Sequence, residues 1–356
     1  MLWSFLLRGS KHHVAARTTR GRRVKRLLII IIVAGLGWSA YWYAAMIGTR
    51  NGFEAWFEAR RAEGWQAEYT DLTIRGFPNR VDATFERPVL ADPETGLAWS
   101  APFFQIFALS YRPNHIIAAW PETQRLSTPL AHYDIASKEM RASLVTEATP
   151  TLPLERMNLV AGAMAITTDD DAITTLDGMQ AAVTRLPGAP SGYRFAVNAD
   201  GLTPALPDRA GLRTGGALPR RLDALRADLE VEFDTAWDLS ALSEARPQPR
   251  RIRLRLAEAR WGQLELKLAG TLDVDRNGRP TGRLTVKAQN WRDILTLARD
   301  LGWIGPTWGT RLEQGLALVA QLSGNPETLD IPLDFTADRV SLGPVPLGPA
   351  PVLRLR

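Results

Sequence analysis

The chain of 356 residues contains no cysteine. That absence excludes disulfides, thiol nucleophiles, iron–sulfur clusters and thiolate zinc sites, and leaves the redox compartment open. Histidine is scarce: there are four, and His12 and His13 lie in a leading basic segment. An excess of one charge is also missing beyond that segment. Of the 43 Lys and Arg, eight (Arg8, Lys11, Arg17, Arg20, Arg22, Arg23, Lys25, Arg26) fall in residues 1–26, which hold no acidic residue. The other 35 face 38 Asp and Glu, a net of −3, which excludes the electrostatic footprint of a nucleic-acid-binding body. Apolar residues make up 45% and charged residues 23%, so wholesale disorder and collagen-like structure are excluded too.

What is present begins with one long apolar run. From Leu27 to Thr49 no residue is charged, and Leu27–Ile47 spans 21 residues. At about 1.5 Å per residue such a helix covers roughly 31 Å, the thickness of a bilayer core. The run is too long for a signal-peptide core, and its outer end has no good Ala-x-Ala cleavage site. Its outer end carries Trp38, Tyr41, Trp42 and Tyr43, which read as an interfacial aromatic belt. The sequence therefore predicts an uncleaved anchor built on Leu27, Ile30, Val33, Trp38, Trp42 and Ile47. The basic segment 1–26 is expected to stay cytoplasmic, placing residues 48–356 in the periplasm of a bacterial inner-membrane, single-pass protein.

Asn51 is positioned to cap a separate short helix to about Glu63, with Phe53, Trp56, Phe57 and Arg60 on one face. After Trp65 the periodicity becomes that of strands. Glu68–Ile74, Val81–Phe85, Phe103–Tyr111 and His115–Trp120 read as strands, with weaker ones over 133–146 and 154–167. Residues 187–220 are rich in Gly and Pro and suggest a sub-boundary. Beyond it, Leu225–Phe233 and Arg251–Leu256 alternate cleanly between apolar and charged. Leu264, Leu266, Leu268, Leu272 and Val274 share one face of a long strand that Gly270 can bend, Asn277–Gly278 turns it, and Leu284, Val286 and Ala288 return. Helical spacing appears over Trp291–Leu301 and Arg311–Leu322, and strands resume at Leu329–Phe335. Pro344, Pro346, Pro349 and Pro351 make the tail an edge strand or extended arm.

Strands with one apolar face must bury it against a second sheet, against helices, or around a ligand. The mixed count of strands and helices predicts a mainly β fold with some α: an N-terminal transmembrane helix, then a curved antiparallel sheet partly covered by helices. If the sheet keeps its apolar face open as a groove, Leu264, Leu266, Leu268, Leu272, Val274, Leu284 and Val286 are the candidates to line it. The alternative is an ordinary sealed core. The nine tryptophans of the body (56, 65, 99, 120, 237, 261, 291, 303, 308) read first as core anchors and second as groove or membrane contacts.

No stretch carries a catalytic signature. Asp273-x-Asp275-x-Asn277-Gly278 resembles the start of a calcium loop, but the closing position holds Leu284, and turn chemistry explains the residues. His115, His132 and Asp134 lack metal-ligand spacing. Asp169–Asp171 reads as a solvated run, and Ser191 is not in a nucleophile elbow.

Several segments together resemble a known family. They are Gly76-Phe77-Pro78-Asn79-Arg80, Trp99–Pro102, Ala108–Pro113, Trp261-Gly262 ahead of Gly270-x-Leu272…Gly278-x₃-Gly282, and the closing Leu342–Pro351. With the anchor, they are similar to the alphaproteobacterial domain-of-unknown-function family 2125, over most of residues 27–356 and least over about 145–220. The basic segment looks like an individual extension. The family has no assigned activity, so the resemblance transfers no functional residue. The Leu-Gly-Pro-x-Pro-Leu-Gly run also resembles the ends of AsmA-like envelope proteins, which are membrane-anchored, β-rich and implicated in lipid traffic.

The expectation is a non-enzymatic protein without cofactor or metal, bound to a bilayer by its helix and binding lipid or another apolar envelope component. The alternative is an anchored scaffold for envelope proteins, with an enzyme whose site is scattered through the chain as the third reading.

Overall fold

A computed structural model describes residues 18–205, 218–242, 246–322, 326–343 and 345–355. Most of the basic segment lies outside the described residues.

The first element, α1 (Thr18–Ala62), is one continuous helix of 45 residues. The separate helix expected to start at Asn51 is instead the last three turns of α1. Packing holds it through Gly48, Asn51 and Gly52: Trp42 and Phe57 are buried, and Phe53 and Trp56 half-buried, against Ala67, Leu72, Ile74, Val81, Ala83 and Phe85. Among the described residues, α1 is the one helix long and apolar enough to cross a membrane.

Among the described residues twenty-two strands follow. β1 (Gln66–Glu68), β4 (Val89–Asp92), β5 (Leu97–Ser100), β8 (Thr123–Ser127), β9 (His132–Ser137), β12 (Met164–Thr168) and β13 (Ile173–Leu176) form a small sheet in that order. The large sheet begins with β2 (Asp71–Arg75), β3 (Arg80–Glu86), β6 (Phe103–Leu109), β7 (Arg112–Ala119), β10 (Arg141–Thr146), β11 (Leu154–Ala161), β14 (Gly178–Arg185) and β15 (Gly192–Asp200). It continues with β16 (Ala224–Phe233), β17 (Pro249–Trp261), β18 (Leu264–Val274), β19 (Pro280–Gln289), β20 (Thr328–Thr336), β21 (Arg339–Leu342) and β22 (Val345–Pro349). The architecture is mainly β with some α, as the alternation predicts, and the ladders are antiparallel.

From β2 to β15 the chain visits the two sheets alternately, two strands at a time. Each visit begins by bending one long strand across a crease: β3 into β4, β5 into β6, β7 into β8, β9 into β10, β11 into β12, β13 into β14. This is why Glu68–Ile74, 133–146 and 154–167, read as single strands, are each divided between the sheets. Pro88, Pro102 and Pro121 sit at three creases, where a missing N–H releases the strand from its ladder. Hydrogen bonds link neighbouring creases, as from the Arg87 amide to the Pro102 carbonyl at 2.9 Å and from the Ser137 amide to the Glu122 carbonyl at 2.7 Å.

From β16 onward the chain stays in the large sheet, and β15 pairs with β16 across the sub-boundary expected near 187–220. There α2 (Trp291–Asp300) and α3 (Pro306–Leu322) take over as cover. Trp291, Leu295, Leu312, Leu316 and Ala320 pack on Ala288, Leu329 and Ile331. The hairpin at Asn277–Gly278 forms as expected, although only Gly278 takes a positive φ, at 80°. Gly270 lies within β18 with a φ of 150°, and a Cβ there would lie 2.3 Å from the Arg283 carbonyl oxygen, so the close approach of β19 requires glycine. The proline-rich tail supplies β22, the last strand of the large sheet.

Candidate functional site

Strand register aligns the apolar positions into one face that runs across the large sheet. Reading from β3, Val81 faces Ala108, Ala108 faces Ile116, and Ile116 faces Leu144. Leu144 faces Met157, Met157 faces Val183, Val183 faces Phe195, and Phe195 faces Leu229. Parallel rows run through Ala118, Ala142, Leu159, Ala181, Val197, Ala227, Ala257 and Leu268. The small sheet presents a matching face through Leu90, Trp99, Leu126 and Tyr133, and through Ile135 and Ile166.

The two faces meet at the crease. Ile135 and Ile166 of the small sheet share a cluster with Ala161, Met179 and Ala199 of the large one, around buried Met164 and Leu176. Trp99 and Phe104 stand 5.7 Å apart across the bend, and Phe104 lies 5.1 Å from Trp120. Away from the crease the faces part. Ile106, Ile116, Ala118, Leu144, Leu159, Ala181, Val183, Ala227 and Leu229 are only half-buried, and so are Leu126, Tyr133 and Ile135 opposite. Val197 and Leu225 are exposed at 42% and 38%. Two sheets packed as a closed sandwich would bury these positions. The result is an apolar trough with the crease as its floor, ending against α1 at one extremity and α2–α3 at the other.

The residues expected to line a groove lie mostly at the covered end. Leu264, Leu272, Val274 and Leu284 are buried, while Leu266 and Val286 pack against the α2–α3 cluster. Leu268, half-buried, faces Ala257 and Val286 at the margin of the open stretch. The open face lies upstream, over β6–β17, in strands where small apolar residues weaken the alternation. Of the body's tryptophans, Trp261 and Trp291 are buried and Trp303 is 77% exposed.

The opposite face of the large sheet is ion-paired over β15–β20, whereas Ile117 and Val160 on the same face are 38% and 50% exposed. Arg194 donates two hydrogen bonds to Asp228, at 2.8 and 2.7 Å, and Arg255 bridges Asp228 and Glu230. Arg194 holds the Asp228 carboxyl below the usual carboxylate range. Glu258 is the buried member, 4% exposed. Burial pushes its carboxyl up, but Arg226 at 2.5 Å and Lys267 at 3.6 Å outweigh it, and the net direction is down. A shallow depression of about 690 Å³ lies here, where Val160, Ala182 and Leu256 line it together with Asn158, Arg226 and Asp228. Its charged groups are tied in cross-strand pairs.

The residues weighed for chemistry do not converge. His115 on β7 pairs with Ser143 at 3.0 Å, whereas His132 and Asp134 are on β9 in the other sheet, and Asp134 is clamped by Arg125 at 2.7 and 2.8 Å. Asp275 accepts the Asn277 and Arg279 amides, both at 2.8 Å, so this carboxylate serves the turn. Asp169 accepts the His132 amide, and the Ser191 carbonyl accepts the Phe233 amide. Among the described residues no group of three or more His, Asp and Glu is placed to hold a metal.

On α1 the anchor candidates divide. Leu27, Ile30, Val33 and Ile47 are 59%, 63%, 61% and 52% exposed, and Trp38 is 38% exposed. Trp42, read as part of the belt, is 5% exposed and buried against the sheet, where its Nε1 donates to the Arg80 carbonyl at 2.6 Å. Trp38 Nε1 donates to the Pro78 carbonyl at 2.9 Å, and the Tyr41 hydroxyl donates to the Ser110 carbonyl at 2.6 Å. Phe77 stacks edge-on to Trp42 at 5.5 Å. The Gly76–Arg80 segment is thus a clasp on the helix. Gly76 has φ 112°, and a Cβ there would lie 2.8 Å from Arg80.

No curated protein and no solved structure matches the chain. Residues 42–351 match the family described as an uncharacterized protein conserved in bacteria, domain of unknown function 2125. The match begins at Trp42, the first residue of α1 that the sheet buries, and leaves out 27–41, a narrower span than the sequence motifs suggest. Covering the clasp, both sheets and the two covering helices, it makes this chain a member of the domain-of-unknown-function family 2125.

Proposed function

We propose that this protein is a non-enzymatic, membrane-anchored protein whose body binds lipid acyl chains in the trough between its two sheets. The basic segment ahead of the apolar stretch of α1 favours a cytoplasmic N-terminus, and hence a body in the periplasm of a bacterial inner-membrane protein. One observation carries the lipid reading: apolar residues on both inner faces, from β6 to β17, stay half-exposed between covered ends. An acyl chain has no hydrogen-bonding groups, so an apolar channel suffices, and each CH₂ taken from water contributes about 0.8 kcal/mol. Ala118, Ala142, Ala181, Ala227 and Ala257 keep the large-sheet wall of the trough free of bulky side chains, which leaves room for such a chain.

The alternative, a scaffold that recruits envelope proteins by strand addition, has the outer edge of β22 as its natural site. Pro346 and Pro349 on that strand offer no N–H, which counts against it. The test is native mass spectrometry of the full chain extracted in mild detergent. Acyl-bearing adducts are expected on the wild type and are expected to fall away in Ala181→Trp. Bare mass for the wild type would sink the reading.

A further inference from the structure

The length of α1 left free of the body is shorter than its composition suggests. Trp42 is buried in the sheet, and Ala45 and Met46 pack against the same cluster. From Leu27 to Tyr41 every residue but Ser39 is exposed, 15 positions that at about 1.5 Å each cover roughly 22 Å. Beyond Tyr41 one face of the helix is buried by the sheet while Tyr43 and Ile47 on the other stay 57% and 52% exposed, so the body flanks the outer part of the apolar stretch. A body in that place needs a surface suited to the bilayer boundary.

The clasp supplies it. Trp38 and Tyr41 are hydrogen-bonded to Pro78 and Ser110, which places the β2–β3 and β6–β7 turns level with the end of the free stretch. The outermost side chains of those turns are aromatic and outward-facing: Phe77 is 54% exposed and Tyr111 57%. Arg75 and Arg112 flank them, and neither Arg75–Arg80 nor Leu109–His115 contains an acidic residue, whereas Arg80 is ion-paired with Asp82 at 2.6 Å. Exposed rings beside the cations Arg75 and Arg112 suit the phosphate-rich boundary of a bilayer. Later turns along the same edge are carried away by the twist of roughly 20–25° per strand.

We infer that the tips of the β2–β3 and β6–β7 hairpins, through Phe77 and Tyr111, seat in the phospholipid headgroup layer beside α1 as a second membrane contact. The inference rests on the reading that α1 crosses a membrane. It makes the docking of sheet on helix rigid with respect to the bilayer, with the first strands of the trough at the lipid surface.

The absence of cysteine makes the test direct. Single variants Phe77→Cys, Tyr111→Cys, Ile30→Cys and Leu130→Cys of the full chain are labelled with an environment-sensitive fluorophore. They are reconstituted in phosphatidylethanolamine–phosphatidylglycerol vesicles with nitroxide lipids, spin-labelled at the headgroup or deep in the chain. Leu130, 94% exposed on the β8–β9 hairpin at the far end of the bent strands, is the distant control. Labels at 77 and 111 are expected to lose most of their emission to the headgroup nitroxide, the label at 30 to the deep one, and the label at 130 to neither. Labels at 77 and 111 that match 130 while 30 is quenched would overturn the second contact alone. A label at 30 that escapes both quenchers would remove the anchor and the inference with it. If Phe77→Cys does not accumulate, Asn79→Cys reports the depth of the same tip.

Discussion

The covered ends of the large sheet and its open middle use the same strand grammar and reach opposite outcomes. At the far end, Ala288, Leu329 and Ile331 are sealed by Trp291, Leu295, Leu312 and Leu316 from α2 and α3. At the near end, Trp42 and Phe57 seal Leu72, Val81 and Phe85. In the middle, rows just as apolar look across to a second sheet that diverges from them, and they stay half-buried. Alternation determines which face seeks cover. Whether cover arrives depends on bulky side chains presented by another element at the right distance.

That contrast can be broken most forcefully by truncating side chains. Trp291→Ala is expected to cost about 3–5 kcal/mol, because Trp291 is 3% exposed within the helix-covered core. Leu159→Ala in the trough is expected to cost only about 1–2 kcal/mol, since the leucine is half-buried and leaves no sealed void. Urea unfolding of the full chain in detergent micelles checks both, and equal costs would mean the trough is a closed core.

Enlarging side chains sharpens the comparison from the other side. Ala320→Leu, at a fully buried position on α3, is expected to destabilise by about 1–3 kcal/mol through overpacking. Ala181→Leu is expected to shift stability by less than about 1 kcal/mol, since the space above it is open. Thermal melting followed by near-ultraviolet circular dichroism distinguishes the two.

A smaller effect is expected at the clasp. Trp42→Phe keeps a buried ring but removes the donor to the Arg80 carbonyl, at a cost of about 1 kcal/mol. Hydrogen exchange at residues 76–80 should rise in that variant and stay unchanged over β16–β19. The smallest effect is a pH dependence on the polar face. Glu258 has its folded-state pKa depressed, so its contribution is present above the unfolded value of about 4.3 and fades as pH falls through the folded value. Glu258→Gln should therefore lower stability near neutrality and flatten its decline on the acid side of pH 4, measured by unfolding at stepped pH.

Much of this architecture is legible residue by residue. Leu264–Val274 and Leu284–Ala288 alternate because one face is buried, and Asn277–Gly278 closes the hairpin because glycine takes the positive φ there. Trp291–Leu301 and Arg311–Leu322 show helical spacing because one stripe of each meets the sheet. The creases were less visible, since a strand keeps its period of two while it changes sheets. The signal was nevertheless in Pro88, Pro102 and Pro121, spaced along an otherwise apolar β pattern. The continuity of α1 was hidden for a different reason. Phe53, Trp56 and Phe57 look the same in sequence whether they meet lipid or the sheet.

What the residues determined by themselves is local and periodic: an apolar helix behind a basic segment, two-faced strands, and one well-marked turn. These follow from backbone propensity and from the spacing of apolar side chains, which act within a few residues. The tertiary structure alone decided which strands bend from one sheet into the other, that the sheet buries Trp42, and that the inner faces diverge. Those outcomes depend on distances between segments remote in the chain, and no periodicity along a single strand encodes them.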